Sequence, residues 1–139
     1  LGATVSVNQE ADDDVGIAST LDYGWIVHVD KDLNQLPGWH YNPIKGEEYF
    51  VTVDEGSKSF YLQLLTGDRI DNIVGLNGIG PVKAAKLLAG LTKDHELYQA
   101  VKAAYESKEE PVERILENGK LLWLSRYEGQ RWEIPKEPE

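Results

Sequence analysis

A chain of 139 residues is long enough for one modest domain with its own core. No stretch approaches the roughly eighteen consecutive apolar residues of a membrane span, no secretory leader pattern is visible, and the absence of cysteine excludes disulfides and thiolate metal sites. A formal net charge of −10 taken alone argues against a nucleic-acid partner, because backbone affinity needs Lys and Arg; a carboxylate cluster that holds divalent cations is nevertheless acidic by construction, and the bound ions reverse its local sign.

The first half reads as alternating strand and helix. Thr4–Val7 is a short β-prone run, and Glu10 to Leu21 carries Ala11, Val15, Ala18 and Leu21 at helical spacing behind Asn8 as an N-cap. Trp25 to Val29 has the length and apolar character of a buried parallel strand, which predicts a βαβ unit. Trp39–Asn42 and Glu48–Val53 predict two more short strands, with Pro43 and Gly46 between them. The second half reads as helical. Asp54 is expected to cap a helix running to about Leu65, and a Gly-rich segment follows from Gly67 to Gly80. Pro81 opens a helix that Gly90 stops, and His95–Tyr105 and Val112–Arg126 predict two more before an irregular tail. The chain opens on Leu1 and contains no methionine, so a start further upstream is expected.

Three acidic clusters punctuate this order. Glu10, Asp12, Asp13 and Asp14 fall at a helix start, where the helix dipole stabilises each carboxylate by up to about 1 kcal/mol, although four in five positions repel one another. Asp30 and Asp32 follow the Trp25–Val29 strand, and the C-terminal ends of parallel strands are where α/β proteins place ligands; a turn rich in Asp is the alternative. Asp68 and Asp71 share a face if their segment is a helical turn, with a simple helix cap as the alternative. Each cluster is weak alone. Together they supply seven carboxylates, from Glu10, Asp12, Asp13, Asp30, Asp32, Asp68 and Asp71, without Cys and with little His. That is the donor chemistry of Mg²⁺ and Mn²⁺. Two such ions roughly 4 Å apart activate a water and stabilise the leaving oxygen in phosphodiester hydrolysis.

The segment from Ile73 to Leu88 carries the strongest local signal, and reads as short helix, hairpin, helix. Gly78 and Gly80 flank Ile79, so the backbone can turn tightly and approach a partner. N–H groups at the following helix start suit a phosphate, Lys83 and Lys86 add cations, and Ala84 and Ala85 allow close helix packing. This is the helix-hairpin-helix pattern, which grips the DNA backbone without reading sequence; a Gly-rich corner in a core is the alternative. His28, inside an apolar strand, is expected to serve the strand face rather than a metal. Trp39, His40 and Tyr41 are expected to pack in a hairpin rather than stack on a base, and Trp123 and Trp132 to dock in the core or tail.

In this order, Glu10-Ala11-Asp12-Asp13, then Asp30-Lys31-Asp32-Leu33 with Gln35-Leu36, then Gly67-Asp68 and Asp71-Asn72-Ile73 running into Gly78-Ile79-Gly80, the chain resembles the 5′-nuclease superfamily. Its members include phage 5′-3′ exonucleases, the 5′-nuclease domain of bacterial DNA polymerase I, and flap endonucleases. The resemblance covers about Val7 to Gly90, and the short loop between Leu36 and Asp54 looks most like phage-type members. It implies that Glu10 and Asp12 serve a first metal with Asp13 close by, and that Asp30 lies between two ions. Asp32 and Asp71 would serve the second ion, with Asp68 acting directly or through water. It also implies two Mg²⁺ or Mn²⁺ ions, a K⁺ held by backbone carbonyls at the helix-hairpin-helix, and cleavage of DNA near 5′ ends or at branched junctions.

The family's first strand and two further metal-binding aspartates have no counterpart here, and Asp14 stands where the family places an apolar residue. A segment acting in cis or in trans is therefore expected to complete the site. The fold class so implied is α/β: a partial parallel sheet with flanking helices, a PIN-like nuclease core lacking its N-terminal part, followed by a helical helix-hairpin-helix region. The expected divisions are 1–57 for the metal-binding core, 58–127 for the DNA-binding region and 128–139 for the tail. The expected protein is a cytoplasmic monomer of a bacterial or phage-infected cell, with no membrane partner. Two other readings compete with a nuclease: a helix-hairpin-helix module that docks on DNA without cutting, and a PIN-like RNase, against which the helix-hairpin-helix argues.

Overall fold

The computed structural model describes residues 25–136. The expected strand and helix before Trp25, and with them Glu10, Asp12 and Asp13, lie outside the described residues. Within them the chain is mixed α/β, with a small sheet leading into four α-helices.

The sheet has the order β1-β2-β3, formed by Ile26–Val27, Gly38–Asn42 and Glu47–Val51. β1 pairs with β2 in parallel, Ile26 opposite His40, whereas β2 and β3 form an antiparallel hairpin, Trp39 opposite Phe50. Among the described residues the expected parallel character appears in one pairing. Between β2 and β3 the chain turns on Asn42, whose Oδ1 accepts from the backbone of Ile44 at 3.0 Å and Lys45 at 3.1 Å. The Trp25–Val29 run is not the buried parallel strand expected. Ile26 is buried, but Trp25, Val27 and Val29 are exposed. β1 therefore alternates as a strand with one covered face.

A short 3₁₀ helix, Lys31–Gln35, connects β1 to β2, and the long helix α1, Val53–Thr66, follows β3. Thr52 rather than Asp54 caps α1: its Oγ1 accepts from Glu55 N at 3.1 Å and donates to the Glu55 carboxylate at 3.2 Å. Helix α1 organises everything downstream. Phe60, Tyr61, Leu64 and Leu65 are fully buried against α2 (Pro81–Leu87), α3 (Asp94–Ser107) and α4 (Val112–Leu122). Each such side chain contributes about 1.5–3 kcal/mol by leaving water. Tyr105 of α3 ties this core to the helix backbone by donating to Leu64 O at 2.6 Å. The division expected between residues 57 and 58 falls inside α1, so one continuous helix serves both halves.

One further expectation is corrected here. Ile73–Val74 is not a short helix but a strand, β5, paired antiparallel with Gly67–Asp68, β4. Gly67 and Gly75 make this pairing feasible. A Cβ on Gly75 would lie 2.5 Å from Gly67 N, and one on Gly67 would lie 2.4 Å from Gly75 N. Residues 123–136 carry no regular structure, but they are not loose: Trp132 is buried beside Phe60, with ring centroids 5.2 Å apart.

Gly56, in the first turns of α1, decides how closely the 3₁₀ helix can approach. Helix propensity alone would favour Ala there by about 1 kcal/mol. A Cβ at this position would sit 2.3 Å from Gln35 O, a backbone atom that cannot swing away. Overpacking of this kind costs about 1–3 kcal/mol and outweighs the propensity. Gly56→Ala is therefore expected to destabilise the chain by about 1–2 kcal/mol in urea unfolding; a stabilised variant would show that the 3₁₀ helix does not press on α1.

Candidate functional site

The acidic residues within the described part converge from two segments. The first is the 3₁₀ helix. Asp30 caps it, its Oδ1 accepting from Asp32 N at 2.9 Å, so Asp30 and Asp32 do not project side by side as two residues of an extended chain would. The second is the tight turn between β4 and β5. Asp68 Oδ1 accepts from Ile70 N at 2.9 Å and Asp71 N at 3.3 Å, and Asn72 takes a left-handed conformation with φ 57°. Asp68 and Asp71 are thus neighbours through a side-chain-closed turn, not through the helical turn expected.

Asp32, Asp68 and Asp71 each present a carboxylate oxygen within 4.8 Å of the other two. Asp30 lines the same cleft without joining that trio. Asp32 and Asp68 are half-buried and Asp71 is exposed. Burial, with Asp68 and Asp30 nearby, pushes the Asp32 carboxyl up to about 7; Lys31 opposes this and is outweighed. Gln63 of α1, not singled out in the sequence, donates from Nε2 to Asp32 Oδ1 at 2.5 Å. Its position inside the apolar run Phe60–Leu65 was the available signal: a polar side chain there needs a partner.

An all-oxygen donor set of this kind fits a hard divalent cation. Asp32, Asp68 and Asp71 are the residues that could hold it.

The cleft beside the trio has a volume of about 500 Å³. Asp30, Lys31, Asp32, Gln63, Asp68 and Arg69 line one part, and Ile79, Gly80 and Pro81 of the Gly-rich segment line another. Ile79 is buried and its N–H donates to Leu76 O at 3.2 Å; Gly78 takes φ 77°, and Gly80 N-caps α2. Lys83 and Lys86 lie exposed on α2, outside the lining of this cleft. Ala84 is buried in the core as expected, whereas Ala85 is exposed.

The aromatic and histidine residues of the sheet contact one another. His40 is buried and donates from Nε2 to Leu36 O at 2.7 Å, which leaves its Nδ1 to accept from His28 Nε2 at 2.7 Å. Burial lowers the His40 pKa, consistent with the neutral ring this pattern requires. Trp39 packs between Trp25 and Phe50, at centroid distances of 5.1 and 5.2 Å.

This arrangement of sheet, helices and acidic cleft has the fold of a 5′-nuclease, and the resemblance to that superfamily read from the sequence stands. A mutant of T5 5′-exonuclease superposes with a TM-score of 0.56 at 19% identity, over 78% of this chain and 54% of the other. A T5 protein co-crystallized with metal ions gives 0.57 at 19% identity, over 78% of this chain and 50% of the other. In sequence the chain is 36% identical over 111 residues to DNA polymerase I of Rhizobium leguminosarum, covering 73% of this chain. It spans about half the length of the T5 structures and 11% of the polymerase. No family model matches the chain.

Because the folded Asp32 carboxyl titrates near 7 and the unfolded one near 3.8, the metal-free folded state holds a proton that the unfolded state has already released between those values. The stability associated with that proton is present below about pH 4 and is lost as pH rises to about 7. Asp32→Asn retains an acceptor for Gln63 and removes the charge. It is expected to raise the Tm of the metal-free chain clearly at pH 8 and to change it little at pH 4, by calorimetry in a chelating buffer; an equal effect at both values would contradict the shift.

Proposed function

We propose that this chain is the C-terminal part of a Mg²⁺-dependent 5′-nuclease that hydrolyses DNA phosphodiesters at 5′ ends or branched junctions. One observation carries the proposal: Asp32 and Asp68 line the same cleft as the Ile79–Pro81 turn, and Asp71 offers a carboxylate oxygen within 4.8 Å of both. A scissile phosphate at the carboxylates would thus have its flanking backbone at the Gly-rich turn.

In this reading Asp32, Asp68 and Asp71 hold one ion and Asp30 faces it, while Glu10, Asp12 and Asp13 complete a first metal site. Divalent ions at these positions, Mg²⁺ or Mn²⁺, would activate a water and stabilise the leaving oxygen. Gly78, Ile79 and Gly80 form the turn ahead of α2 that meets the DNA backbone, with strand β5 in the place where the sequence suggested a first helix, and its carbonyls suit a K⁺. Lys83 and Lys86 extend the contact along α2. Residues 1–57 then belong functionally to the nuclease core and 58–127 to DNA binding, with 128–139 as a tail. An upstream segment, in cis or in trans, supplies the remaining metal ligands. The similarity to a bacterial DNA polymerase and to T5 5′-exonuclease supports this assignment; the reading places the protein as a monomer in the cytoplasm of a bacterial or phage-infected cell. Among the described residues no helix is long and apolar enough to cross a membrane.

The test is cleavage of a 5′-labelled flap substrate in Mg²⁺ or Mn²⁺. Asp71→Ala is expected to reduce cleavage by more than about 100-fold, beyond the loss typical of a supporting group. DNA binding without cleavage by the unaltered chain would favour the second reading, a docking module or a nuclease half that needs its upstream segment.

The hairpin has its own test. Replacing Lys83 and Lys86 by Ala is expected to weaken binding to duplexes of any sequence and to lower the slope of log affinity against log salt by about 2. An unchanged slope would remove both lysines from the DNA contact.

A further inference from the structure

Gln35 is only 2% exposed, and its side-chain amide is satisfied on both ends by groups whose identity is not in question. Its Oε1 accepts from the backbone N–H of Leu124 at 3.1 Å, and its Nε2 donates to the backbone carbonyl of Leu122 at 2.8 Å. A backbone N–H can only donate and a backbone carbonyl can only accept, so the orientation of this amide is fixed. The second N–H of Gln35 Nε2 then points at Gln63, 2.6 Å away, and must meet its oxygen. Gln63 therefore turns its own NH₂ to Asp32 Oδ1. The C-terminal end of α4 thus dictates, through two amides in series, that a donor faces the carboxylate. Arg126, donating to Gln35 O at 3.1 Å, pins the backbone of the same 3₁₀ helix.

From this chain of contacts we infer that Gln63, oriented by Gln35 and the Leu122–Leu124 backbone, is the positioning residue for the metal ligand Asp32. The inference rests on the metal-site reading above and deepens it. Gln63 occupies one Asp32 oxygen, holds the rotamer, and leaves the other oxygen directed to the cation shared with Asp68 and Asp71. Segment 122–126 is accordingly part of the site's support, although it lies beyond the motifs that resemble the nuclease family. Second-layer partners of metal ligands commonly affect affinity by about 10–100-fold.

The experiment is Mn²⁺ binding to the 139-residue chain by calorimetry or electron paramagnetic resonance, with Gln63→Met as the variant. Met matches Gln in length and helix propensity, so packing in α1 is preserved. Gln63→Met is expected to weaken Mn²⁺ binding about 10-fold. The same change made on Asp32→Asn is expected to alter binding less than about 2-fold, because the group it acts through has gone. A merely structural role would give the same loss in both backgrounds and would overturn the inference, as would wild-type affinity in Gln63→Met. Gln35→Met should reproduce the loss; if it does not fold, the Gln63 pair decides alone. Absence of Mn²⁺ binding by the unaltered chain would overturn the metal-site reading itself, and this inference with it.

Discussion

Helix α1 has to bury two faces at once, and the rest of the molecule is arranged around that requirement. One face carries Phe60, Tyr61, Leu64 and Leu65 into the helical core. The other carries Gly56 and Gln63 toward the 3₁₀ helix, with no room at Gly56 for even a methyl group. A helix packed on both sides cannot shift toward one neighbour without opening a gap to the other, and gaps in a close-packed interior lose contacts outright. The segments at its two ends inherit this rigidity. Thr52 fixes its entry, and Gly67 leads straight from its exit into the β4–β5 turn that bears Asp68 and Asp71.

That arrangement explains how carboxylates that repel one another are kept together. Asp68 is locked by two backbone N–H groups of its own turn, and Asp32 is held by Gln63. Each has a support of its own, and the two carboxyls also meet through a side-chain hydrogen bond, so the trio joins two separately supported pieces. The Asp32 carboxyl is raised first by burial, then by its hydrogen bond to Asp68, and only then by the neighbouring charges. Strain of this kind, offset by unrelated packing, is typical of sites built for charge that arrives from outside.

The sequence was legible where the signal was local. Gly78, Gly80 and Pro81 specify a turn and helix start, and the apolar spacing of α3 and α4 locates those helices to within a few residues. Asp32, Asp68 and Asp71 were identifiable because their motifs are compact. It was less legible where long-range pairing decided the outcome. Ile73–Val74 looked helical because nothing nearby announced that Gly67–Asp68 would pair with it. Asp54 and Thr52 both suit a helix cap by residue type, and the capping-box pattern Thr52-Val53-Asp54-Glu55 is what singles out Thr52. Gln35 was visible only as part of a motif, since its partners at 122 and 124 lie almost ninety positions away.

The charge of the chain, which first argued against DNA, takes a different meaning once the acids are located. Asp32, Asp68 and Asp71 are concentrated in one place, and cations there would turn a repulsive patch into an attractive one. Lys83 and Lys86 stand apart from that patch on α2, and Gly78–Gly80 offers backbone rather than side-chain charge. In the proposed function, affinity for the nucleic acid is then divided between a metal-dependent part at the carboxylates and a metal-independent part at the Gly-rich turn. Such a division links binding to readiness for chemistry. Without divalent ions the carboxylates push the phosphate away from the position where it would be cut, while the turn can still engage the flanking backbone.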